Sequence, residues 1–139
     1  MSEKQDLILN LTDKANRDLK AAEVLLKDED ADFHSGNICF HCQQSIENYL
    51  KVFLISKDAL APKTHDLLFL TELCSDFDEH FKSFDFTDFA SFGVEIRYDN
   101  DIPTLDEAKK AVEVAKLVAE YIMTLTLYEE VPNDENTNS

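Results

Sequence analysis

Residues 37–51, NICFHCQQSIENYLK, constrain the fold more than any other stretch of this chain. Asn37, His41, Gln44, Asn48 and Lys51 recur at steps of four and three, which sets them on one side of an α-helix. Ile38, Cys42, Ile46, Tyr49, Phe53 and Leu54 form an apolar flank beside them. A solvated helix face is usually built of Lys, Glu and Asp. This stripe is mostly amides and an imidazole, groups that both donate and accept hydrogen bonds. They suit a half-buried interface or a small-ligand cleft better than bulk water, an ordinary solvated face being the alternative.

The rest of the chain supports a helical frame around that segment. Two glycines and three prolines in 139 residues are too few for a sheet with tight turns. A first helix is expected from about Glu3 to Lys27, with Leu7, Leu11, Ala15, Asp18, Leu19, Ala22 and Leu25 or Leu26 at helical spacing. Asp30 or Asp32 can cap a second, running to about Lys57, with Gly36 a weak point near its start. Pro62 ends that segment and Thr64 can cap a third helix through Leu67, Leu68, Leu70 and Leu73. Between Ser75 and Val94, Phe77, Phe81, Phe84, Phe86, Phe89 and Phe92 predict one or two short helices laid over the core as a hydrophobic lid. Residues 95–103 read as a loop. Thr104 and Glu107 have capping-box spacing and open a last helix to about Tyr128, with Ala108, Ala111, Val112, Ala115, Val118 or Ala119, Ile122 and Leu125 as its inner face. The fold class is therefore all-α, an antiparallel up-and-down bundle of four to five helices. Residues 1–128 form one helical domain, and 129–139 an acidic tail expected to be disordered.

Charge narrows the function. A formal net charge of −16 opposes binding to nucleic-acid phosphates, which draws on Lys and Arg. No apolar run reaches membrane-spanning length, and the charged N-terminus lacks a signal-peptide core, so a cytoplasmic location is expected. Cys39, Cys42 and Cys74 are an odd set in apolar surroundings, which suits reduced thiols. Cys39-Phe-His-Cys42 lies inside a helix rather than at a helix start, and no second pair completes a zinc set. No Glu is followed three residues later by His, against a di-iron bundle. No glycine-rich phosphate loop is present. No metal or resident cofactor is expected; a nucleotide would be held by side chains or by helix N-termini, with Mg²⁺ if it is a triphosphate.

Two islands remain. Lys63-Thr64-His65-Asp66-Leu67 stands at a helix start, where backbone N–H groups can meet an anion and His65 can pair with Asp66 or cap the turn. Arg97-Tyr98 supplies the only arginine after Arg17, able to neutralise Asp99 or Asp101, or to grip a phosphate or carboxylate in bidentate fashion.

The helix FHCQQSIENYLKVFLI, then KTHDLLFL, then a late RY before a final amphipathic helix resembles the HEPN domain family from about Asp6 to Tyr128. The resemblance implies a small helical bundle, commonly a homodimer with its two-fold axis near the motif helices. It also implies nucleotide- or RNA-linked work beside a minimal nucleotidyltransferase, a pairing of toxin–antitoxin type. Carried over, the helix motif falls on His41, Gln43, Gln44, Glu47 and Lys51, the second motif on Thr64, His65, Asp66 and Leu67, and the late motif on Arg97 and Tyr98. RNA-cutting members resemble one another in an Arg followed, after four to six residues, by His. Here those places hold Ile102, Pro103 and Thr104, and no histidine follows His80. The imidazole that would move a proton from the ribose hydroxyl is missing there.

The expectation is therefore a module of the non-RNase branch that binds a nucleotide and a nucleotidyltransferase partner, and not an enzyme. Arg97, Lys51 and Lys63 would neutralise phosphate; His41, His65 and Gln44 would hydrogen-bond base or ribose; Tyr98 would stack. Asn37, Glu47 and Asn48 belong to an interface or buried polar network. The alternatives are a purely structural or interaction homodimer, and a metal-independent RNase in which His65 replaces the missing histidine.

Overall fold

The computed structural model describes residues 2–86 and 102–130, with the side chains of the last four left aside. Among them are four α-helices, α1 (Glu3–Leu26), α2 (Ser35–Ser56), α3 (Leu67–Ser75) and α4 (Leu105–Glu130), and two 3₁₀ turns, Ala31–His34 and Glu79–Ser83. The chain is an all-α bundle, as its glycine scarcity and periodicity predict.

Helix α1 opens with a capping box. Ser2 Oγ accepts from the Gln5 N–H, and Gln5 Oε1 accepts from the Ser2 N–H, both at 3.1 Å. Ala15 and Ala22, two turns apart, are wholly buried, and such small side chains let α1 lie close on α2. Leu7, expected on that inner face, is instead exposed, and Ile8 packs inward with Leu11 and Leu19. The two helices are antiparallel. Lys4 reaches the Ser56 carbonyl at 3.4 Å and the Asp58 carboxylate at 2.9 Å, while the Tyr49 hydroxyl donates to Asn16 further along.

The α1–α2 link differs from expectation at one point. Neither Asp30 nor Asp32 caps α2, because a 3₁₀ turn intervenes and takes up Asp32. Asp28 organises the link instead, accepting from the Asp30 N–H at 3.1 Å and lying 3.3 Å from His34 Nε2.

Helix α2 is the spine. It packs on α1, α3 and α4, and Ile38, Cys42, Ile46, Tyr49, Phe53 and Leu54 are all buried. Each large apolar side chain so buried contributes about 1.5–3 kcal/mol. It ends with Asp58 in the left-handed region (φ 59°), and the Ala59 N–H closes on the Leu54 carbonyl at 3.0 Å. The chain then runs back along α2 as far as Gln43, whose side chain reaches the His65 carbonyl. From there α3 follows α2 in the same sense. Cys74 Sγ meets the Leu50 carbonyl at 3.6 Å, and Phe77 and Phe81 pack on Phe53. Thr64, expected to cap α3, does not. Asp66 is the cap, accepting from the Phe69 N–H at 3.1 Å, and Thr64 Oγ1 accepts from the Asp66 N–H.

Helix α4 begins with the expected box. The Thr104 N–H donates to Glu107 Oε1 at 2.8 Å and the Glu107 N–H to Thr104 Oγ1 at 3.1 Å. Its predicted inner face is buried from Ala108 to Ile122, with Leu125 packed at the margin. The phenylalanine-rich segment forms the lid as far as it is described: Phe81 and Phe86 are buried, and Phe81, Phe84 and Tyr121 meet as rings. Phe89, Phe92 and the tail beyond Glu130 lie outside the described residues. No described helix is long and apolar enough to cross a membrane.

Candidate functional site

The polar residues of α2 fall on two flanks. Gln43 and Glu47 stand one turn apart in line with Leu50 and Leu54, so a buried stripe contains two polar side chains. Glu47 is 4% exposed, and a carboxylate so buried needs partners for both oxygens. It has them. Glu47 Oε1 lies 2.8 Å from His65 Nδ1, and Glu47 Oε2 accepts from Lys51 Nζ at 3.1 Å. Gln43 Nε2 donates to the His65 carbonyl at 3.3 Å. One residue of the segment before α3 is thus gripped by backbone and by ring. An ionised carboxylate only accepts, so the His65 proton sits on Nδ1, and Nε2 is the outward nitrogen. The imidazole is 58% exposed.

The other flank faces α1. His41 Nδ1 lies 2.8 Å from Asp18 Oδ1, both half-buried, with the Phe40 ring edge-on at 5.7 Å. Gln44 is half-buried, and its Oε1 finds no hydrogen-bond partner among the described residues.

Of the sequence candidates, Glu47, Lys51 and His65 come together, and Gln43 joins them. His41 lies apart with Asp18. Lys63 and Asn37 are exposed and Asn48 is half-buried, so within one chain Asn37 is outside any buried network. Arg97 and Tyr98 lie outside the described residues. The anion site expected at the start of α3 is already filled by the Asp66 carboxylate, and His65 turns to Glu47 rather than to Asp66. The stripe of amides did not point to Asn16 or Asp18 on α1, the partners of Tyr49 and His41. Asp18 was visible as the polar intruder on the inner face of α1.

The three cysteines are free and buried. Burial pushes the Cys39 and Cys74 thiols up to about 12 and raises Cys42 as well, which keeps them protonated and unreactive at neutral pH. No cluster of three metal-ligating side chains occurs among the described residues. At the lid, the Tyr121 hydroxyl donates to Asp78, which draws the carboxyl below its usual range; burial, with that bond, pushes Tyr121 up to about 12.

With this arrangement in view, the comparison with known families is decisive: the model of the HEPN domain matches residues 8–126. The chain belongs to the HEPN domain family. No curated protein and no solved structure matches it. The matched span of this HEPN chain holds both flanks of α2, the His65 segment and most of α4.

Proposed function

We propose that this HEPN chain is a non-catalytic binding module that takes a nucleotide or its phosphate at the edge between α2 and the segment before α3, and works with a minimal nucleotidyltransferase. The grip of Glu47 and Gln43 on His65 carries this reading. It fixes an outward imidazole beside the exposed Lys63 on a chain of net charge −16, and a preorganised edge binds at lower entropic cost. Lys51 takes a changed role. Its charge is met by Glu47, so it acts as a counter-ion, and neutralising phosphate falls to Lys63 and Arg97. His65 would hydrogen-bond base or ribose and Tyr98 would stack, with Mg²⁺ accompanying a triphosphate. Protonated thiols, a late arginine with no histidine behind it, and His41 and His65 on different flanks of α2 support the non-catalytic reading.

The test is a thermal-shift panel of ATP, GTP, CTP, UTP and their diphosphates, with and without Mg²⁺. Ligand at ~100 times its dissociation constant stabilises by about 2.7 kcal/mol, a rise of several degrees for a domain of this size. That rise should disappear in Lys63→Ala/His65→Ala. A flat panel at millimolar ligand overturns the nucleotide reading.

A second reading, an interaction module that acts as a homodimer, is favoured by a different observation. His41, Glu47, Lys51 and Tyr49 are each satisfied within the chain, so these four polar groups of α2 can serve packing alone. It predicts the flat panel together with a dimer in analytical ultracentrifugation.

A further inference from the structure

The start of α2, with the 3₁₀ turn before it, carries a surface that the nucleotide edge does not use. Phe33 is 86% exposed and Phe40 is 41% exposed. Gly36, Asn37 and Phe40 recur at helical spacing on one side of α2, and Phe33 stands in the 3₁₀ turn just before it. A Cβ built on Gly36 would meet nothing within 4 Å, which leaves the strip between the two rings open to close approach by another chain. Gln44, half-buried one turn beyond Phe40, closes the strip. Asp28, Glu29, Asp30 and Asp32, all exposed, form the rim next to Phe33. Lys27 is the only Lys or Arg among residues 27–34, and His34 already lies against Asp28.

Charge selects the occupant. Four carboxylates within five residues repel a phosphate backbone and an anionic headgroup alike. A second copy of the chain would bring the same four carboxylates and a further net charge of −16. We propose that this face docks a cationic amphipathic helix of a partner protein. Aliphatic side chains of that helix fill the strip over Gly36 between Phe33 and Phe40, and its Lys or Arg residues meet Asp28, Glu29, Asp30 and Asp32. The two aromatic rings are the anchors and the acidic rim sets orientation and association rate. This inference rests on the reading of the chain as a partner-binding module and names the surface and the chemistry of the partner.

The experiment is an NMR titration of the full chain with two synthetic helical peptides of one apolar pattern, a leucine–lysine peptide and its leucine–glutamate counterpart. The lysine peptide should shift resonances of residues 28–44, and the glutamate peptide should not. Affinity should fall at least tenfold in Phe33→Ser/Phe40→Ser, with the melting temperature unchanged, and stay constant in Leu117→Ser, a control at an exposed position of α4. Equal binding to both variants means charge alone and overturns the proposal, as does equal binding of the glutamate peptide or no binding at millimolar peptide. A wild-type dimer that Phe33→Ser/Phe40→Ser dissociates makes a second copy the occupant and also overturns it. Co-expression with a minimal nucleotidyltransferase separates the two levels. If no complex forms with the wild-type chain, the partner-binding reading fails; if a complex forms and survives in Phe33→Ser/Phe40→Ser, only this face fails.

Discussion

The two halves of α2 hold the same chemical pair in different surroundings. In each, a histidine Nδ1 lies 2.8 Å from a carboxylate oxygen. In the half from Ser45 to Leu54, every residue except Asn48 and Lys51 is buried, and the Glu47 carboxylate has both oxygens occupied. In the half from Ser35 to Gln44, five positions stay open or half-open, and Asp18 keeps about a quarter of its side-chain surface in water. Burial rather than bond length decides what such a pair does. In the closed half it is part of the fold and fixes the segment carrying His65. In the open half it keeps contact with water, and the surface around it is less enclosed.

Glu47→Ala breaks or upholds that contrast most strongly. It strands the Lys51 ammonium, mostly buried, and releases His65. Removing one partner of a buried ion pair costs about 3 kcal/mol or more. For a domain of this size that lowers the melting temperature by roughly 10 °C. Asp18→Ala, in the half-buried open pair, should cost less, about 1–2 kcal/mol. Equal losses in urea unfolding would mean that burial does not separate the pairs. Glu47→Leu/Lys51→Met should recover most of the loss, because a packed apolar pair replaces a buried ionic one without a desolvation penalty.

Alkaline pH tests whether the contrast is confined to the polar flanks. Cys39 in the open half and Cys74 against the closed half both titrate above their ordinary value of 9.0, because burial disfavours the thiolate. A folded-state pKa above the unfolded one gives stability that is full below pH 9 and lost as pH rises towards 12. Cys39→Ala and Cys74→Ala, measured under reducing conditions, should each remove a similar share of the decline in stability between neutral pH and pH ~10.5. Unequal shares would extend the difference between the halves to their apolar side.

Much of this was legible in the sequence, for a physical reason. Helical periodicity assigns sides, so the apolar flank of α2 and the inner face of α4 could be read residue by residue. The Thr104–Glu107 box is local chemistry at fixed spacing and was equally readable. Periodicity does not say how many neighbours a helix has. Gln43 and Glu47 share the side of Leu50 and Leu54, yet that this side is covered depends on where the chain returns after Pro62. Local alternatives also compete: Thr64 and Asp66 can both cap α3, and the carboxylate, which accepts more strongly from a backbone N–H, takes the position. The partners of His41 and Tyr49 sit on α1, more than twenty residues away, and no spacing rule within one helix reaches them.

Ser45 sharpens the closed half. Its hydroxyl is buried without a partner among the described residues. Ser45→Ala removes a polar group that water no longer solvates and gains helix propensity, so it should raise stability by about 1 kcal/mol. A loss of that size would mean that the hydroxyl is satisfied in solution.

Gly36→Ala makes the corresponding change in the open half, with the smallest effect. Glycine in a helix is less stable than alanine by roughly 0.5–1 kcal/mol, because the unfolded chain loses more freedom on folding. Gly36 has no positive φ to protect, and an added Cβ meets nothing within 4 Å. Its position in the first turn of α2 puts the gain at the low end, about 0.5 kcal/mol, or one to two degrees in melting temperature. Binding should move the other way, since the methyl group occupies the strip between Phe33 and Phe40 that a docked helix approaches. A more stable chain with weaker affinity for the lysine peptide identifies Gly36 as an opening kept for contact. Added stability with unchanged affinity would place the docked helix away from Gly36 and leave the two rings as separate contacts.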